Sequence, residues 1–93
     1  MATYTLYEYH SVDQAGSPIL PQFKRTTGLA FGAAQQLADD TIYFRVIPDV
    51  DARFLSSTDG TAATSADEKI YADVGTGAQI SPNINVYIYL TAA

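Results

Sequence analysis

The chain has 93 residues, with ten acidic and five basic side chains that give a formal net charge of −5. This length is typical of one domain, so residues 1–93 are predicted to fold as a single unit. The chain contains no cysteine and one histidine, which excludes disulfides, cysteine-ligated metal centres and sites built from several histidines. The acidic balance argues against a protein that binds nucleic acid by neutralising its phosphates.

The composition favours β-structure and a surface with few charges. Seven Tyr, four Phe and ten Thr are residue types that are enriched in strands. Charged residues make up only 16% of the chain, whereas about 25% is usual in globular domains. A small soluble domain ordinarily keeps more charge outside, so this low fraction indicates faces that contact partners.

Two segments alternate between apolar and polar residues, as half-buried strands do. They are residues 41–47 and 85–90, and in each the apolar positions share one face because successive strand residues point to opposite sides. The residues predicted to face the core are Ile42, Phe44, Val46, Val86, Ile88 and Leu90.

A proline interrupts the first of these alternating segments. Pro48 lacks the backbone N–H that a strand ladder needs, and the alternation then resumes with Val50, Ala52 and Phe54 facing inward. Residues 41–55 are therefore predicted to form two strand segments joined by a bend at the proline. A hairpin is disfavoured because the junction lacks an Asn-Gly or Asp-Gly pair.

The N-terminal region alternates less regularly. In residues 3–9, Tyr4 and Leu6 face one way while Tyr7 and Tyr9 face the other. This pattern predicts a strand that either has both faces partly covered or contains a bulge.

The region that follows the first strand is ambiguous. A short strand is predicted at residues 19–25, although Pro21 weakens it. In residues 26–40, three apolar side chains have helical spacing, but a glycine within the segment and two aspartates at its end disfavour a helix. A long loop with at most one helical turn is predicted there.

A polar stretch separates the central strands from the C-terminal ones. Residues 56–68 are small and polar, with no side chain that is suited to a core. They are predicted to form an exposed loop that turns at Asp59 and Gly60 and reaches a neighbouring molecule.

Further short strands follow this loop. Residues 69–74 alternate, with Ile70, Ala72 and Val74 predicted to face inward, and another strand is predicted near residues 78–80. The chain therefore has six to eight short strands. This number and spacing predict an all-β fold, a small antiparallel β-sandwich or barrel with long Ser-, Thr- and Ala-rich loops.

Few residues support a chemical site. Asp49 and Asp51 have the spacing seen in calcium loops, but Arg53 occupies the next alternate position, so a solvated face with an Asp–Arg pair is predicted instead. His10 lies near a serine and an aspartate, but the chain has no Gly-x-Ser-x-Gly elbow. We therefore expect a protein that is not an enzyme and that uses no metal or cofactor.

Neither secretion nor membrane insertion is indicated by the sequence. The N-terminal residues lack the basic start and apolar run of a signal peptide. No apolar stretch approaches the roughly 20 residues that a membrane-spanning helix needs. We expect synthesis in the cytoplasm and no membrane partner.

Four tyrosines are predicted to point away from the core. Tyr43, Tyr71, Tyr87 and Tyr89 alternate with aliphatic residues in their strands, and Arg45 shares the face of Tyr43. Tyrosine gives a large contact area while keeping a polar tip, so it is enriched in interfaces. Three explanations remain open: a second core layer, a protein–protein interface and a platform for carbohydrate. These five residues are the predicted partner-binding site.

The second half of the chain resembles small bacteriophage structural proteins encoded among head and tail genes. The resemblance covers a Tyr-Phe-Arg-Val strand at 43–46, a Ser/Thr/Ala-rich loop at 57–67, a Val-Gly-Thr-Gly turn at 74–77 and a last aliphatic strand within 80–88. It covers about half of the chain.

The resemblance implies a β-sandwich subunit of a virion, made in the host cytoplasm. Its function would be capsid decoration, in which the protein stabilises the head as a cement protein. The implied partners are the major capsid protein or other virion proteins, and a homo-oligomer, with a trimer as the first candidate. The alternatives are another virion position at the head–tail junction or tail, and a carbohydrate-binding adhesion module.

Overall fold

The computed structural model describes residues 2–15, 18, 24–81 and 84–93. These ranges contain eight short strands and no helix that is long and apolar enough to cross a bilayer. The strand predicted at 19–25 lies outside the described residues, except for Lys24 and Arg25, which begin the second strand. The strands are β1 (Thr3–Tyr9), β2 (Lys24–Ala30), β3 (Gln35–Gln36), β4 (Tyr43–Pro48), β5 (Ala52–Ser57), β6 (Glu68–Ile70), β7 (Thr76–Gln79) and β8 (Tyr87–Ala92).

The strands form two antiparallel sheets of four. The first sheet has the order β2-β1-β4-β7, and the second has the order β3-β8-β5-β6. The prediction of an all-β fold, a small antiparallel sandwich or barrel of six to eight short strands, is therefore confirmed, and the two separate sheets are compatible with the sandwich.

The core lies between the inner faces of the two sheets. Phe44 of the first sheet packs against Phe54 of the second, with their ring centroids 6.0 Å apart. The predicted alternation in β4 and β8 is confirmed, because it places Phe44, Val46, Ile88 and Leu90 inside. The buried cluster comprises Tyr4, Leu6, Leu37, Phe44, Val46, Ala52, Phe54, Ile70, Ile88 and Leu90.

The predicted bend at Pro48 is where the chain changes sheets. Strand β4 ends at Pro48 in the first sheet, and β5 begins at Ala52 in the second, so the two segments do not form a hairpin. Ala52 and Phe54 face inward as predicted, but Val50 is 43% exposed. The prediction for Val50 was wrong because this residue lies in the crossing between sheets, where strand periodicity does not apply.

Strand β1 keeps a single phase, and its irregular pattern arises because both faces are partly covered: Tyr4, Leu6 and Glu8 are buried on the inner face and Tyr9 on the outer one. A bulge does occur, but in its partner β2. Tyr4 pairs with Leu29 whereas Leu6 pairs with Thr26, so β2 has one extra residue between these pairs. Gly28 lies in that extra segment with a left-handed φ of 69°, a conformation that glycine adopts without a steric penalty.

The region 26–40 differs from the predicted loop. Most of its first part belongs to β2, Gln35–Gln36 pair with β8, and the buried Leu37 joins the core. The helical spacing of the apolar residues was misleading: Leu29 packs against the core from β2, Ala33 is exposed in the turn, and Leu37 enters the core just after β3.

The segment 69–74 is a strand only at its start. Ile70 is buried as predicted, but Val74 is 67% exposed and β6 ends at Ile70. Asp73 adopts a left-handed φ of 63°, which ends the extended conformation. The predicted inward position of Val74 was therefore wrong.

The polar loop between β5 and β6 is partly folded onto its own sheet. Ser57 Oγ accepts hydrogen bonds from the backbone N–H groups of Gly60 and Thr61, at 3.0 and 3.2 Å. Ala63 is buried, so the expectation that nothing in this loop reaches the core was wrong. The predicted turn at Asp59 and Gly60 is confirmed, since Gly60 has a φ of 79° and Asp59 accepts hydrogen bonds from Thr61.

Candidate interaction surfaces

The outer face of the first sheet presents a row of cationic and aromatic side chains. Tyr7 on the central strand β1 pairs with Arg25 of β2 on one side and with Arg45 of β4 on the other. Directly paired residues point to the same face, so an Arg–Tyr–Arg row crosses three strands. We call this surface, formed by Tyr7, Arg25, Tyr43 and Arg45, the arginine face; Tyr9 lies buried at its edge.

Ring contacts order the side chains of the arginine face. The Cζ atom of Arg45 lies 5.9 Å from the centroid of the Tyr7 ring, a cation–π distance. Tyr9 and Tyr43 pack edge to face, with centroids 5.8 Å apart and planes at 76°. A planar platform for stacking sugar rings would need the tyrosine rings to be coplanar, and this pair is not.

A glycine on β7 makes room for these side chains. Gly77 pairs with Arg45, and a Cβ atom there would lie 2.9 Å from Arg45 Cγ and 3.0 Å from Tyr43 Oη. Both side chains therefore extend across β7 at a position where a larger residue would displace them.

Among the described residues, the arginines of this face lack the carboxylate neighbours that the two lysines of the chain have. Within the part of the chain that the structure describes, no carboxylate lies within salt-bridge distance of Arg25 or Arg45. The first acid beyond the end of β4, Asp49, accepts a hydrogen bond from the backbone N–H of Thr3 at 3.0 Å. The outward strand positions of the first sheet carry two positive charges and no negative one.

The outer face of the second sheet also carries tyrosines and basic residues, but its basic side chains have partners within the chain. Arg53 pairs with Lys69, and Leu55 pairs with Tyr89. Together with Tyr87, these residues form what we call the tyrosine face. Its cations have partners within the chain: Arg53 Nη1 donates to the Asp67 carbonyl at 3.2 Å, and Lys69 Nζ lies 3.9 Å from Asp51 Oδ2.

The loop after β5 lies against the tyrosine face. A Cβ atom on Gly60 would be 3.9 Å from the Tyr87 ring and 3.3 Å from Ala34 Cβ, so the loop backbone lies close to both. The loop predicted to reach a neighbouring molecule is thus in contact with its own sheet at this point.

One end of the sandwich carries three of the four exposed large hydrophobic side chains in the described ranges. Val50 lies in the loop between β4 and β5, and Tyr71 and Val74 lie in the loop between β6 and β7, with Tyr71 55% exposed. The backbone N–H of Asp73 donates to the Pro48 carbonyl at 2.9 Å, which joins the two loops.

The five predicted partner-binding residues are therefore divided among three surfaces. Tyr43 and Arg45 lie on the arginine face, whereas Tyr87 and Tyr89 lie on the opposite side of the sandwich. Tyr71 lies at the end, outside either sheet. Sequence alternation predicted that each points outward, but it gave no information about which sheet each strand joins.

A buried glutamate supports the strand beneath the arginine face. Glu8 of β1 faces the interior with 0% exposure, and its Oε1 accepts hydrogen bonds from Ala38 N at 2.7 Å and Thr41 Oγ1 at 2.8 Å. Among the described residues, its Oε2 has no hydrogen-bond partner, and Lys24 Nζ is 4.0 Å away. Sequence reasoning missed Glu8, although it shares the face of Tyr4 and Leu6.

The acidic and histidine candidates have structural contacts. His10 Nε2 lies 3.1 Å from Asp40 Oδ2 at an exposed position. Asp51 Oδ1 accepts a hydrogen bond from Ala72 N at 3.0 Å, and its other oxygen faces Lys69, so its basic neighbour is not the predicted Arg53. No group of three or more metal-ligating side chains occurs in the residues that the structure covers.

Hydrogen bonding sets the charge state of the turn aspartate. The Thr61 side chain and backbone N–H both donate to the Asp59 carboxylate and hold its pKa below the usual value. This bonding stabilises the turn next to the tyrosine face.

A small open groove of about 210 Å³ lies where β5 ends beside the segment after β7. Ile80, Ile84 and Val86 form its apolar part, with serine and threonine hydroxyls at its rim. Ligand pockets usually have about 300–1,000 Å³, so this groove is smaller than a typical small-molecule site.

The chain matches no protein-family model, and comparisons with curated proteins and with solved structures find no significant match.

Proposed function

We propose that this protein is a non-enzymatic structural subunit that binds other proteins, and that it serves as a capsid decoration protein of a bacteriophage. The observation that carries the proposal is the arginine face, where tyrosines and two arginines lie side by side with no acid among the outward strand positions. Arginine and tyrosine are enriched in interfaces because they combine large contact area with directed hydrogen bonding.

The small size of the domain fits an assembly role. A chain of this length buries a modest core, so contacts with neighbours add materially to its stability. A subunit that binds only the assembled shell stabilises that shell by mass action. The proposed partners are the major capsid protein or other virion proteins.

The bacteriophage assignment rests on the resemblance of the second half of the chain to phage head and tail proteins. Residues 43–46, one of the segments that carry this resemblance, lie in β4, an inner strand of the first sheet. They contribute Tyr43 and Arg45 to the arginine face. The resemblance and the proposed interface therefore have Tyr43 and Arg45 in common.

Particle reconstitution tests the proposal. Virions produced from the encoding genome with this gene deleted are mixed with purified chain, and bound copies are counted by quantitative mass spectrometry. We expect binding to saturate at a fixed ratio to the major capsid protein. Absence of saturable binding would contradict the proposal.

Two double variants locate the contact. Tyr43→Ala with Arg45→Ala should lower occupancy severalfold, because both side chains are lost from the arginine face. Tyr87→Ala with Tyr89→Ala should lower it less, because Tyr87 already contacts the loop at Gly60. Circular dichroism must show that each variant is folded. Equal occupancy of wild type and both variants contradicts the proposed contact.

A further inference from the structure

The five basic residues of the chain fall into two groups. Lys24 lies beside Glu8, Lys69 beside Asp51, and Arg53 donates to a carbonyl, so three cations have partners within the fold. The two arginines of the arginine face have no carboxylate partner in the described ranges, although the chain has ten acids. These two lie on either side of the same tyrosine.

We infer that the arginine face binds a carboxylate-bearing segment of a partner protein, with Arg25 and Arg45 each receiving an acidic side chain across Tyr7. This inference rests on the proposed function and names the chemistry of its partner. A planar guanidinium matches a carboxylate with two parallel hydrogen bonds, which makes arginine suited to this recognition.

The geometry of the sheet sets the spacing of the partner's acids. Neighbouring strands lie about 4.8 Å apart, so Arg25 and Arg45 project from positions about 10 Å apart. Acids at alternate positions of an extended segment are roughly 7 Å apart, within reach of two long side chains on either side of the Tyr7 ring. The ring provides the apolar contact between the two ion pairs.

The local charge of the arginine face favours a carboxylate-bearing segment over other occupants, because its outward strand positions carry two positive charges and no negative one. Two arginines on a chain of net charge −5 neutralise few phosphates, which disfavours nucleic acid. A second copy that docked through the same face would set these arginines against their own counterparts, and like charges oppose that contact.

A peptide-binding experiment tests the inference without a virion. The probe is a short labelled peptide of alternating Glu and Gly, compared with its Gln–Gly counterpart and with a short single-stranded DNA. Binding is followed by NMR amide shifts at low ionic strength. We expect the Glu peptide alone to bind and to shift the amides of Tyr7, Arg25 and Arg45.

Matched variants separate the local site from overall charge. Arg25→Gln with Arg45→Gln should weaken peptide binding by about tenfold or more. Arg53→Gln with Lys69→Gln removes the same charge from the opposite face and should leave binding within about twofold. Arg25→Lys with Arg45→Lys keeps the charge but loses the planar fork, so it should give an intermediate loss.

Other results would overturn the inference. Equal loss in the two glutamine variants would show a general charge effect, and tighter binding to the DNA would show the wrong class of ligand. Self-association that disappears in the Arg25→Gln and Arg45→Gln variant would make a second copy the occupant.

The particle assay distinguishes this inference from the proposed function. Saturable binding to virions that is unchanged by Arg25→Gln with Arg45→Gln would retain the structural role and reject the acidic partner site. Specific peptide binding by a chain that does not bind virions would retain the acidic partner site and reject the structural role.

Discussion

The two outer faces of the sandwich contain the same kinds of residue but use them differently. On the tyrosine face, Arg53 and Lys69 are paired within the chain and a loop lies against Tyr87. On the arginine face, Arg25 and Arg45 flank Tyr7 with no carboxylate at salt-bridge distance in the described ranges.

The cations of the tyrosine face thus have polar partners within the chain, whereas those of the arginine face have no acidic partner among the described residues. An exposed cation with a polar partner in the chain contributes to the fold, whereas cations without an anionic partner are available to an external anion. Residue type alone does not distinguish the two faces, because both contain tyrosine and arginine. The two faces differ in whether their basic side chains have polar partners within the chain.

The largest effect is expected beneath the arginine face. Glu8→Ala removes the acceptor of Ala38 N and Thr41 Oγ1 and leaves both buried donors unpaired, so it should lower the free energy of unfolding by about 3 kcal/mol. Urea denaturation measures this loss. Glu8→Gln keeps one acceptor and should cost clearly less; equal losses would show that the hydrogen bonds are unimportant.

Substitutions at two glycines, one in β7 and one in the loop beside the tyrosine face, compare how tightly the backbone is packed near each face. Gly77→Ala places a Cβ atom 2.7 Å from the Phe44 carbonyl oxygen and should cost about 2–3 kcal/mol as β7 shifts. Gly60→Ala meets Ala34 Cβ at 3.3 Å in a left-handed conformation and should cost about 1–2 kcal/mol. Thermal denaturation of both variants checks the order, and a reversed order would contradict the close packing of β7.

Alkaline pH tests the burial of Tyr4 in the first sheet. Burial raises the pKa of Tyr4 from 10.0 to about 12, so its contribution is fully present below pH 10 and is lost as pH rises to about 12. The unfolded chain ionises first, and stability should fall by roughly 2–3 kcal/mol over that range. When stability is measured by urea denaturation across this pH range, Tyr4→Phe should lose less stability than the wild type.

The exposed Tyr71 provides the control for this pH dependence. Tyr71→Phe also removes one phenol, but from a side chain that is 55% exposed. Its alkaline decline should match that of the wild type. If both Phe variants behave alike, the burial of Tyr4 does not control alkaline unfolding.

The smallest effect concerns the stability of the arginine variants themselves. Arg53→Gln with Lys69→Gln should lower stability by about 0.5–1 kcal/mol, because it removes internal contacts. Arg25→Gln with Arg45→Gln should lower stability by about 0.5 kcal/mol at most, since among the described residues these arginines have no acid to lose and only the exposed cation–π contact between Arg45 and Tyr7 is removed. A larger loss in the second variant, measured by urea denaturation, would mean that the arginine face is part of the fold's own stability.

The sequence predicted features that depend on local alternation. The inward positions of Phe44, Val46, Ile88 and Leu90 follow from a two-residue period, as does the outward position of Tyr43. The bend at Pro48 follows from its missing N–H.

Features that depend on strand pairing were not predictable in this way. Arg25 meets Tyr7 only because β2 pairs with β1, and the bulge at Gly28 shifts the register between them. The burial of Glu8 depends on Ala38 and Thr41, which reach it through a distant turn. Val50 and Val74 are exposed because they lie in connections between sheets.

Arginine footprinting on assembled particles tests the central claim most directly. The free chain and the particle-bound chain are treated with phenylglyoxal, and modification of each arginine is measured by mass spectrometry. We predict that Arg25 and Arg45 react in the free chain and are protected on the particle, whereas the reactivity of Arg53 changes little. Equal modification of Arg25 and Arg45 in both states would contradict a partner bound at the arginine face.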